Sequence, residues 1–336
     1  MSALIDLRDP SSFPTRRVEA WKYTDVRRYL RAAPPPSPEG EVAPAGPFAA
    51  LTGEETAVVN GRGADRITVT GEAVRALRFV STADGAGHQA EVAVDVAAGA
   101  SLLLLESHEG RAAGYVSNVR LSLTLGAGAT ATRIVLGEDA ADALAFVRAE
   151  VVLQPGATFN QTTVTSGAKL QRFETHVRHP GEGGGVRLDG LYALTGERHS
   201  DLTSVVTHAG RDGLTSQLTK GSVRDTARGV FQGKIVVERG ADGTDARMGH
   251  HALILSERGE VDAKPELIIY ADDVQCAHGN TVGALDEQAL FYMQSRGLPA
   301  DEARALLTQA FLIEVVDRIE HEGAREVVRT WLETRL

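Results

Sequence analysis

A short phrase recurs three times in this chain: "VAAGAS" from residue 96, "LGAGAT" from 125 and "LQPGAT" from 153. The shared pattern is [VL]-x-x-G-A-[ST], and its glycines Gly99, Gly128 and Gly156 lie 29 and 28 residues apart (128 − 99 and 156 − 128). Each copy leaves an apolar run, turns at glycine and enters another run. A unit of this kind cannot bury its apolar face alone and must stack on the next. The expected fold class is therefore mainly β, a parallel β-helix solenoid, with an antiparallel sandwich as the competing architecture. "VRLSLTL" at 119–125 alternates strictly, with Val119, Leu121, Leu123 and Leu125 on one face and Arg120, Ser122 and Thr124 on the other, as a half-buried strand does. Strand-like runs continue through "GVRLDGLYAL", "DLTSVVTH", "GVFQGKIVVE", "HHALIL" and "ELIIYA".

The flanks have a different character. Residues 14–31 place Val18, Trp21, Tyr29 and Leu30 where a helix could bury them. Six of the twelve prolines fall in "APPPSPEGEVAPAGP", which can hold neither a helix nor a central strand and predicts a stiff, extended linker. The N-terminal piece is then expected to be a separate small element. From Asp286 onward the period becomes helical. Asp286 suits an N-cap and Gly297 a left-handed stop, while Pro299 opens a second helix. That helix carries Ala303, Leu306, Leu307, Ala310 and Phe311 on one face, widened by Leu312, Val315, Val316 and Ile319. "AREVVRTWLETRL" reads as a last helix. The organisation expected is an N-terminal helical segment (1–33), a Pro-rich linker (34–48), a β-helix core (49–284) and a C-terminal helical segment (285–336). The C-terminal helices either cap an open solenoid end or dock a second protein.

Lys+Arg 35 against Asp+Glu 45 gives a net charge of −10, which repels nucleic acid and anionic membrane and leaves proteins or cations as partners. A single cysteine cannot form an internal disulfide. The start "MSALIDLRDPSSFPTRR" lacks the apolar core of an export signal, and no stretch reaches membrane-span length. A cytoplasmic chain with no membrane association is expected.

That cysteine stands in "YADDVQCAHGNTVG", residues 270–283. On an extended backbone Cys276 and His278 project to the same face, along with Asp272. Thiolate, imidazole and carboxylate all bind metals, but a closed tetrahedral site takes four ligands. Either the missing ligands come from another chain, or Cys276 is a small buried hydrophobe and His278 a hydrogen-bonded turn residue. A Cys–His nucleophile pair is disfavoured, because side chains two apart on a strand project in parallel. His250 and His251 should face opposite ways, His176 and His179 should diverge, and His199 and His208 could meet only through the fold. No Walker loop, H-E-x-x-H, G-x-S-x-G or dinucleotide fingerprint occurs, so any ATP chemistry is borrowed.

Three long phrases carry a resemblance. "KPELIIYADDVQCAHGNTVGALDEQALFYMQSRGLP" resembles the C-terminal signature of the SufB/SufD family of iron–sulfur cluster assembly proteins. "EAWKYTD" resembles its N-terminal phrase and "LTKGSVRDTARGVFQGKIVVERGADGTDA" its central segment. The "CAHGNTVG" stretch is most like the SufD branch. Relatives commonly read Cys-Ser-His-Gly-Ala-Thr, whereas Ala277 and Asn280 stand here, and "DARMGHHAL" replaces a Gln-rich stretch; Cys276 and His278 are untouched. The resemblance implies a right-handed parallel β-helix that pairs with a SufB-like subunit through its end. It implies a transient iron–sulfur cluster or iron shared with that partner, none being bound by this chain alone. His278 would be a ligand, and Cys276 a neighbour that assists or only packs. It also implies docking of a SufC-like ABC ATPase by the C-terminal helices, for which Phe291, Leu306, Leu307 and Phe311 are the candidates, and a homodimer is possible in isolation. The chain would be a scaffold and not an enzyme. The alternatives are a purely structural partner of SufB, or a β-helix enzyme acting on polysaccharide.

Overall fold

The structure, a computed structural model, describes residues 4–41 and 44–336. Its β-strands run in chain order as β1 (Glu55–Val59), β2 (Arg66–Val69), β3 (Glu72–Ser81), β4 (Gly87–Val96), β5 (Ser101–Gly110) and β6 (Val116–Leu125). Then come β7 (Thr130–Glu138), β8 (Leu144–Leu153), β9 (Thr158–Thr165), β10 (Leu170–His179), β11 (Gly185–Leu194) and β12 (His199–His208). The last are β13 (Leu214–Val223), β14 (Arg228–Val237), β15 (Asp245–Ile254), β16 (Glu260–Ile269) and β17 (Gln275–Gly283). Odd strands form a nine-stranded sheet in sequence order and even strands an eight-stranded one. Every ladder in both is parallel, which rules out the antiparallel sandwich. Each coil is one strand of each sheet, and coils stack into a solenoid.

The repeated phrase is the corner of the coil. Gly99, Gly128 and Gly156 have φ of +69°, +66° and +72°, a region that glycine enters without steric cost. The alanines behind them, Ala100, Ala129 and Ala157, are buried in the bore. Each Ser or Thr opens the next strand. Corners are laddered: the Gly99 amide donates to the Ala127 carbonyl and the Gly128 amide to the Pro155 carbonyl, both at 3.0 Å.

The bore is not uniformly apolar. Below the leucine and valine stack lies Glu106, whose carboxylate accepts from Arg133 Nε (2.8 Å) and Nη2 (2.7 Å) and hydrogen-bonds His108 Nε2 (2.7 Å). Burial opposes the charge, but Arg133 and His108 outweigh it and hold the Glu106 pKa down at about 2. A buried charge paired in this way is weak evidence of net stabilisation, but removing one partner leaves the other uncompensated.

Residues 14–31 are not the expected helix. Helical structure there is limited to a 3-10 turn at Glu19–Trp21 and one α-turn, α1 (Val26–Tyr29). Tertiary contacts order the segment instead. Ile5, Leu7, Phe13, Trp21, Val26 and Leu30 pack on Val116, Leu144, Phe146 and Leu170, on the outer face of the even sheet. The Trp21 ring stacks 4.3 Å from the buried Arg172 guanidinium, and Thr24 Oγ1 donates to Asp201 at 2.5 Å. The segment is a strap on the core, not a separate element. Parts of the Pro-rich stretch are seated on the core as well: Pro36 bridges Gly87, and Phe48 is buried, while Val42 and Ala43 lie outside the described residues.

At the C-terminus, α2 (Glu287–Ser295), α3 (Ala300–Asp317) and α4 (Glu322–Glu333) follow the last strand. Asp286 caps α2, accepting from the Gln288 and Ala289 amides, and Gly297 ends it with φ +96°. Leu312, Val315 and Val316 of α3, Ile319 just beyond it, and Val328, Trp331 and Leu332 of α4 pack on Leu105, Ile134, Leu136, Val164 and Leu191. Those residues belong to the outer face of the odd sheet. The helices therefore cover the solenoid's flank and do not cap its end.

Candidate functional site

β17 lies in register with β15, setting Cys276 beside Ala246, His278 beside Met248 and Asn280 beside His250. Ala246, Met248 and His250 are buried, so strand alternation puts Cys276, His278 and Asn280 on the bore-facing row. β16 and β17 each pair on one side only. Among the described residues no further coil covers the row, and His278 and Asn280 are exposed although they face inward. Cys276 is half-buried beside Phe231, Ile235, Val237 and Met248. Burial pushes its thiol pKa up, with Asp245 adding to the effect against a backbone hydrogen bond at Ala246. In this chain by itself Cys276 is a thiol, not a poised thiolate. Asp272 does not join the pair, since it lies in the turn ahead of β17.

Behind His278 runs a relay that sequence reasoning missed. Asn280 Oδ1 hydrogen-bonds His250 Nδ1 at 2.7 Å, and His250 Nε2 hydrogen-bonds the Tyr192 hydroxyl at 2.9 Å. The His250 ring lies flat on Phe231, with centroids 4.7 Å apart. Burial lowers its pKa to about 4, so it is neutral at pH 7, able to donate from one nitrogen and accept at the other. The relay pins the last coil into the bore. Its one sequence signal is Asn280, two residues beyond His278 and thus on the same face.

The other histidines fall into structural roles. His251 points outward to Thr281 Oγ1 (2.8 Å), opposite to His250 as expected. His176 hydrogen-bonds Glu174 at 2.6 Å, while His179 turns inward and stacks on His208, with centroids 4.9 Å apart. His199 does not meet His208; its Nε2 hydrogen-bonds the Tyr23 carbonyl of the strap. Among the described residues no three His, Cys, Asp or Glu side chains converge as a metal-binding group. Cys276 and His278 offer two donors, which leaves room for ligands from elsewhere.

The four docking candidates divide. Phe291 is 75% exposed and Leu306 41%, with Tyr292 beside Phe291 at 63%. Leu307 is half-buried, and Phe311 is tucked beneath Lys220, whose Nζ sits 4.4 Å from its ring.

Residues 79–311 match the family described as "SUF system FeS cluster assembly, SufBD core domain". This chain belongs to the SufBD family. It is 31% identical to the iron–sulfur cluster assembly protein SufD of Escherichia coli over 245 residues, covering 72% of this chain and 58% of that protein. A SufBD family protein of Synechocystis is 33% identical over 205 residues, which is 61% of this chain and 45% of that one. The SufD of Bacillus subtilis is 33% identical over 155 residues, 44% and 36% of the two chains. The chain spans about half the length of the first two of these relatives. The SufBD match includes the open end with Cys276 and His278 as well as α2. No helix among the described residues is long and apolar enough to cross a membrane.

Proposed function

We propose that this chain is a SufD-like scaffold subunit of iron–sulfur cluster assembly, lending His278 to a cluster or iron ion held jointly with a SufB-like subunit. One observation carries the reading: His278 stands exposed on the bore-facing row of β17, a strand with a free edge that no described residue covers. Free edges invite strand pairing with a partner, and a partner seated there would face the imidazole directly. An imidazole ligates as the neutral base, and the partner supplies the remaining donors. Cys276, half-buried and protonated, assists or only packs. ATP chemistry belongs to a SufC-like ATPase docked on the exposed Phe291 and Leu306, and this chain hydrolyses nothing itself. Nucleotide-driven movement of α2 and α3 against the solenoid would change access to the shared site.

The decisive experiment is His278→Ala, co-expressed with SufB-like and SufC-like partners and purified without oxygen. Iron and sulfide per complex should fall to background while the complex stays assembled. Unchanged cluster content would leave only the structural-partner reading. For docking, Phe291→Asp or Leu306→Asp should release the ATPase without lowering the chain's melting temperature, since both side chains are exposed. Retained binding would mean that the helices serve only to cover the sheet.

A further inference from the structure

A cavity of about 610 Å³ opens on the side of the solenoid, away from His278. Its floor is a column of four successive turns that lead from the odd sheet to the even one, at 111–115, 139–143, 166–169 and 195–198. Residues 45–47 and Arg335, just beyond α4, form the walls. Three guanidiniums reach it, from Arg111, Arg198 and Arg335, together with the carboxylates of Glu109, Glu138 and Asp139.

Formal charge balances, but hydrogen-bonding capacity does not. Glu109 accepts from Arg78 through Nε (2.8 Å) and Nη2 (3.0 Å), from Ser107 Oγ (2.8 Å) and from Arg111 Nη2 (2.9 Å). Asp139 accepts from the Tyr115 hydroxyl at 2.6 Å on one oxygen and from Gln171 Nε2 at 2.7 Å on the other. Glu138 Oε1 takes Trp331 Nε1 at 2.9 Å and Arg335 Nη2. The arginines are less committed. Among the described residues, Arg111 uses one nitrogen, on Glu109, and Arg198 uses one, Nη1, on the carbonyls of Asp139 and Gly167. A guanidinium has five N–H donors, so each of these two cavity-lining arginines retains several uncommitted to the protein. Among the described residues Arg198 hydrogen-bonds carbonyl oxygens and forms no salt bridge with a carboxylate. Burial, and then the Arg335 charge, lower its pKa against the pull of Asp139 and Glu138.

We propose that this cavity binds a small metabolite bearing a carboxylate or phosphate group, gripped by Arg198 with Arg111 and Arg335. Planar guanidiniums match both oxyanions in bidentate geometry, and the space accommodates a molecule the size of citrate. Because Arg335 follows α4 and Glu138 holds Trp331, a bound anion would brace α4 against the coil turns. The inference is independent of the cluster-assembly reading.

The test is calorimetric titration of the full chain with citrate and, separately, inorganic phosphate, against sodium chloride at matched ionic strength. Saturable binding of at least one is expected, weakened roughly tenfold or more by Arg198→Met. Citrate alone would assign a polycarboxylate, and phosphate alone a phosphate ester. Arg111→Gln, at the half-exposed rim, gives the same readout should Arg198→Met fail to fold. No saturable heat with either anion, or undiminished affinity in the folded variants, would overturn the proposal.

Discussion

Asn280 sits in solvent yet satisfies a histidine that does not. Replacing it by leucine strands His250 Nδ1 at the edge of the bore, and an unpartnered buried polar group costs about 1–3 kcal/mol. Urea unfolding of Asn280→Leu should show a loss of that size, while iron and sulfide per complex remain at the parent level. A loss of cluster instead would make Asn280 part of the ligand set. The shared face of Cys276 and His278, and the opposed faces of His250 and His251, were legible because strand alternation is geometric and needs no tertiary knowledge. Glu106, His108 and Arg133 were not. A polar residue on a strand reads as outward-facing, and only a partner 27 residues away, at Arg133, makes an inward carboxylate tolerable.

At the scale of elements, the Gly-Ala-Ser/Thr corners were legible because a left-handed φ selects glycine wherever it occurs. The strap was not. Its apolar residues imitate helical spacing, but Trp21 is held by Arg172 and Phe146 on the sheet face. Trp21→Ala should destabilise the chain by about 3–5 kcal/mol, the usual cost of removing a buried tryptophan. It should also make residues 4–30 susceptible to limited proteolysis before the core. A strap still protected in this variant would place the anchor elsewhere, at Thr24 and Asp201. The flank position of α3 and α4 had a signal that passed unused. "LLLLE" at 102–106 is apolar at both parities, which means that both faces of β5 are covered.

Across the whole molecule, acid is the expected weakness. Burial lowers the pKa values of His88, His208 and His250 to about 4 from 6.5, with Arg62, His179 and His251 respectively adding to it. Between pH 6.5 and 4 the unfolded chain binds protons that the folded chain refuses. Their contribution to stability is therefore present above pH 6.5 and lost on the way down to 4, on the order of 3 kcal/mol for each. Asp189 acts in the opposite sense: burial raises its pKa to about 6 against Arg318 and Arg187. It favours the fold at low pH and loses that effect as pH rises from 3.8 to 6. Three groups outweigh one, so the melting temperature should fall steadily from pH 7 to pH 4; a flat profile would contradict the burial of these imidazoles. The strap imposes a further condition, on the order of events during synthesis. Thr24 leaves the ribosome 177 residues before Asp201, the carboxylate that receives it, a delay of roughly ten to thirty-five seconds at ordinary translation speeds. Trp21 likewise has no finished surface to lie on until Arg172 has been made, so the first part of the chain to be made must wait for half of the molecule before it finds its place.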